Sequence, residues 1–96
     1  MSEDWHEELE CRREFAVGLA REIPKLLKDR TISAAQVAVL LDSLIANIER
    51  FDAFAEEMKS CDVDQSLVSA AEGIQSVYDS IVETVSNRLA ALQEKP

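Results

Sequence analysis

Ala34, Val37, Leu41, Leu44, Ile48, Phe51, Ala55 and Met58 follow one another at alternating spacings of three and four residues. Only a helix brings residues spaced in this way onto one face. Two further stretches repeat the pattern. Before it come Trp5, Leu9, Arg12, Ala16, Leu19, Ile23 and Leu26, with Phe15, Ala20 and Leu27 widening the stripe. After it come Leu67, Ala71, Ile74, Tyr78, Ile81, Val85 and Leu92, with Arg88 in one slot and Leu89 beside it. A period of about 3.5 residues favours left-handed bundle packing at shallow crossing angles. The pattern predicts helices over about 2–29, 33–59 and 64–93.

Local signals place the ends. Ser2 is a candidate N-cap, with Glu3 and Asp4 suited to the positive end of the helix dipole. Ser33 followed by Gln36 three residues on reads as a capping box. Asp64 is the expected cap of the third helix, and Asp62 a turn residue. Pro24 removes a backbone donor inside the first pattern, so the first helix is expected to kink or break there. Gly73 has two readings. Its missing side chain either admits a neighbouring helix or weakens the third helix by ~1 kcal/mol against alanine.

The joining stretches are short, so neighbouring helices should run antiparallel. The expected fold is all-α: an antiparallel up-down-up bundle of three long helices. With 96 residues, such a chain has a marginal core as a monomer. The second helix carries an extra apolar row, Leu40, Ile45 and Phe54. That row calls for burial against a partner or a second copy, and a homodimer is the expected way to complete the core.

Composition removes other classes. Four glycines and prolines together are too few turn formers for a many-stranded β fold, and 47% hydrophobic residues is too many for a disordered chain. Cys11 and Cys61 do not make a disulfide framework, and with His6 they match no zinc spacing, so free thiols are expected. The opening MSEDWHEELE is acidic and unlike a signal or transit peptide, and no apolar run is long enough to span a bilayer. A cytoplasmic protein is expected.

The net charge of −9 argues against direct binding to nucleic acid or to an anionic membrane. Residues 1–14 hold six acids and two bases, and residues 49–72 hold seven acids and two bases. In an antiparallel bundle these two segments meet at one end, which then carries the whole net charge. Capping and the helix dipole account for the acids at helix starts. They do not account for Glu56 and Glu57, which fall in the last turn of the second helix, where the dipole disfavours them.

No catalytic or metal constellation emerges. The D-x-D-x-S opening of a calcium loop at Asp62 fails twice, because Leu67 stands where glycine is required and Gly73 where glutamate is required. His6 near Glu7 and Glu10 at a helix start reads as solvated. The helical serines have no base and no glycine-rich elbow. No cofactor, metal or enzymatic activity is expected.

The expected function is that of a non-enzymatic, acidic protein-binding module that sequesters or inhibits a protein partner with a basic surface. A sharper form has the acids imitating nucleic-acid phosphates in a basic groove. The candidate contact residues are Trp5, Glu7, Glu8, Asp52, Glu56, Glu57 and Asp62. The alternative is a structural or chaperone-like subunit of a helical homo- or hetero-oligomer.

Overall fold

The computed structural model describes residues 4–94. They form three helices, α1 (Trp5–Leu27), α2 (Ala34–Ser60) and α3 (Gln65–Gln93), and no strand occurs among the described residues. The bundle is a rod of 56 × 19 × 19 Å. α1 and α2 run antiparallel, and each packs along α3.

The helix ends follow from their caps. With Trp5 the first helical residue, Asp4 stands at the N-cap of α1. Its carboxylate accepts a hydrogen bond from the Glu7 amide at 3.1 Å. Ser2 lies outside the described residues. The capping box of α2 is formed in full, with the Gln36 amide donating to Ser33 Oγ at 3.1 Å and the Ser33 amide donating to Gln36 Oε1 at 2.8 Å. Asp64 does occupy the N-cap position of α3, but its side chain makes no capping hydrogen bond. Asp62 serves the turn through its backbone. Its φ of 56° lies in the left-handed region, where a chain leaving a helix commonly turns and where aspartate is tolerated better than most residues.

α1 is not broken at Pro24. It stays helical to Leu27, about a turn further on. Proline leaves the Ala20 carbonyl without its intrahelical donor. Both residues are exposed, so water can serve that carbonyl instead. The end near Asp29 was overestimated. Asp29 forms a side-chain turn, accepting from the Thr31 amide at 2.9 Å and its hydroxyl at 2.7 Å. Those two hydrogen bonds hold its carboxyl below the usual carboxylate range.

The core has two halves. At one end Leu9, Ala16, Phe51, Phe54, Met58 and Tyr78 pack together. At the other, Ile23, Leu27, Val37, Leu44, Ile81 and Val85 do so, closed by Ile32 from the α1–α2 connection. Apart from the phenol of Tyr78, no polar or charged side chain is buried among the described residues. Of the extra row on α2, Phe54 is buried, Leu40 half-buried and Ile45 exposed.

Gly73 decides between its two readings. A methyl group placed on it would meet nothing within 4 Å, and the residue is exposed. No helix approaches there, so the glycine only loosens α3. Gly73→Ala is therefore expected to stabilise the protein by about 1 kcal/mol. A thermal melt that moved down instead would reveal a constraint at this position.

Candidate protein-binding surface

The fold brings the start of α1 beside the α2–α3 turn. Trp5 packs edge-on against Phe54, ring centroids 5.5 Å apart at 61°. Leu9 shares a core cluster with Met58 and Ala71. The described parts of the two acid-rich segments, 4–14 and 49–72, therefore sit at one end of the rod. Glu7, Glu8, Asp52, Glu56, Glu57 and Asp62 are all exposed, and Trp5 is half-buried.

These residues are not equivalent. Glu8 is engaged, holding the Arg12 guanidinium at 2.8 Å. That guanidinium lies 3.8 Å from the centre of the Phe54 ring, a cation–π contact. Asp52 is engaged too, accepting a hydrogen bond from Gln75 of α3 at 3.0 Å. It helps to join α2 to α3. Trp5 is partly buried and packs against the core cluster around Phe54. Asp62 is placed by the turn. Glu7, Glu56 and Glu57 have no side-chain partner among the described residues.

Arg12 and Gln75 were missed as contributors. Arg12 offered a signal, since it occupies a slot of the apolar stripe. An arginine there has to lay its stem on hydrophobic surface and bring its head to an acid or an aromatic face. Gln75 offered none. Arg12 also reaches Tyr78 electrostatically. Burial pushes the Tyr78 phenol above its ordinary value, and the Arg12 charge partly opposes that rise.

The thiols of Cys11 and Cys61 are free and exposed. No group of three or more potential metal ligands exists among the described residues. No described helix is long and apolar enough to cross a membrane. What the surface offers is charge, beside the aromatic cluster of Trp5, Phe51, Phe54 and Tyr78. The chain matches no protein-family model, no curated protein and no solved structure.

Proposed function

We propose that this protein is a non-enzymatic, cytoplasmic binding module that sequesters or inhibits a protein with a basic surface. The observation that carries this reading is the placement of Glu56 and Glu57. They are exposed, have no side-chain partner among the described residues and stand toward the C-terminal end of α2, where both the helix dipole and the neighbouring acids act against them. A charge set that costs the fold and that no contact among the described residues offsets suits a binding surface. Such a pole attracts a basic partner over several ångströms, speeding encounter and orienting it, while apolar contacts slow release. Imitation of nucleic-acid phosphates in a basic groove is the sharper form of the same reading.

A second reading has its own observation. Phe15 and Leu26 are about half exposed, at 52% and 49%. Large apolar side chains left at the surface also suit a subunit of a helical oligomer, a homodimer included.

Capture from host extract at low and at high salt tests the two. A partner held at low salt and released at high salt supports the charge-steered module. A tight, salt-insensitive dimer of the purified chain, seen by light scattering, would favour the subunit reading.

A further inference from the structure

Pro24 takes a hydrogen bond from α1 at a definite place. In a helix each carbonyl points along the axis toward the amide four residues on. The Ala20 carbonyl therefore points at Pro24, which has no amide hydrogen to give. Ala20 and Pro24 both line a notch of about 180 Å³ between α1 and α3. The carbonyl lies between them on one strip of α1, so it faces the notch. Ser80 and Thr84, one turn apart on α3, line the opposite side, and the buried Ile23 and Ile81 complete the lining.

The two hydroxyls differ. Thr84 donates its hydroxyl hydrogen to the Ser80 carbonyl at 3.0 Å, within its own helix. The Ser80 hydroxyl donates to no group among the described residues. One helix thus brings an acceptor that has lost its donor, and the other a donor without an acceptor. They do not bond directly, and polar groups too far apart for that are commonly joined by water. The notch has room, since one water fills about 30 Å³. No charged side chain lines it, so nothing there draws a cation in place of a neutral donor.

We propose that one water molecule is bound in this notch and ties α1 to α3 at the proline. It donates to the Ala20 carbonyl and accepts from the Ser80 hydroxyl. Its second hydrogen goes to Thr84 Oγ1, whose lone pairs remain available after its own donation. Three partners are the usual complement of a structural water. The bond that α1 loses within itself is replaced by one between helices, so α1 tolerates a proline three residues before its end. This site is independent of the reading of the protein as a binder of basic proteins.

The test needs a reference, because alanine favours a helix more than serine does. Ser76 is also exposed and stands one turn earlier on α3, away from the notch. Ser76→Ala should raise the melting temperature by about 2 °C. Ser80→Ala should instead lower it by about 2 °C or more, because the bridge is lost with the hydroxyl. In a Pro24→Ala background the restored amide takes the Ala20 carbonyl, and the two serine changes should then have equal effects. Pro24 is exposed, so its replacement should not unfold the chain. A high-resolution crystal structure should show a water within hydrogen-bond distance of both the Ala20 carbonyl and Ser80 Oγ. Equal effects of Ser76→Ala and Ser80→Ala in the parent overturn the tie. A difference that persists without the proline, or a crystal structure with no water joining the two groups, overturns it as well.

Discussion

Phe51→Ala is expected to lower the unfolding free energy by about 3–5 kcal/mol. Phe51 is 3% exposed and sits where all three helices meet. Its ring centroid lies 6.0 Å from that of Phe54 and 6.0 Å from that of Tyr78. Truncation removes two aromatic pairs as well as the buried area, and each such pair is worth roughly 0.5–1.5 kcal/mol beyond burial. The neighbours are themselves held. Phe54 is fixed by Trp5 and Arg12, so the site cannot easily collapse to fill the gap. Against a total of roughly 5–15 kcal/mol for a domain of this size, the loss brings the protein near its unfolding threshold. Urea denaturation followed by circular dichroism measures it. Val39→Ala, at a residue 65% exposed, should stay within about 0.5 kcal/mol of the parent. A loss at Phe51 below about 1 kcal/mol would mean that this half of the core repacks.

The second large effect is on binding. Glu56→Lys with Glu57→Lys should slow association with a basic partner by about 10-fold or more at low salt. The difference should shrink as salt rises, because exposed charges are screened within about 10 Å at 0.1 M. The same change should leave the fold equal or slightly more stable, by a few tenths of a kcal/mol per residue, since lysine suits the C-terminal end of a helix. That opposition of signs separates a binding role from a structural one. Stopped-flow association and thermal melts on the same variants read both. If association is unchanged, or if stability falls with it, the acidic end is not a steering surface. Asp62 is left out of the reversal because its left-handed backbone would add strain to any lysine placed there.

Much of the bundle was legible because burial imposes a period. Each stripe residue from Val37 to Met58 had to face something apolar, and spacing alone identified the face. The Ser33 box was legible because two side chains answer each other across one turn. Pro24 was only half legible. Sequence rules describe the donor it removes and cannot say whether water reaches the orphaned carbonyl. The arrangement of α1 against α2 was hidden for a related reason. A second apolar row such as Leu40 and Phe54 states that something must cover it. Phe54 turned out to be covered by Trp5 and Arg12 within the chain, while Leu40 is left at a groove. The two acid-rich segments were legible as segments, because antiparallel packing of α1 and α2 follows from a short connection. Which of their acids already have partners was not, since Gln75 lies on a different helix from Asp52.

α3 lies between two helices that hardly touch each other's backbones, and this gives the molecule an order of assembly. α2 and α3 are joined by a tight turn and form a hairpin from contacts close in sequence. α1 reaches α3 only by contacts such as those around Leu9 and Ala71, which close a loop of roughly sixty residues. Loop-closure entropy thus favours pairing of α2 with α3 first, with α1 docking onto that hairpin afterwards.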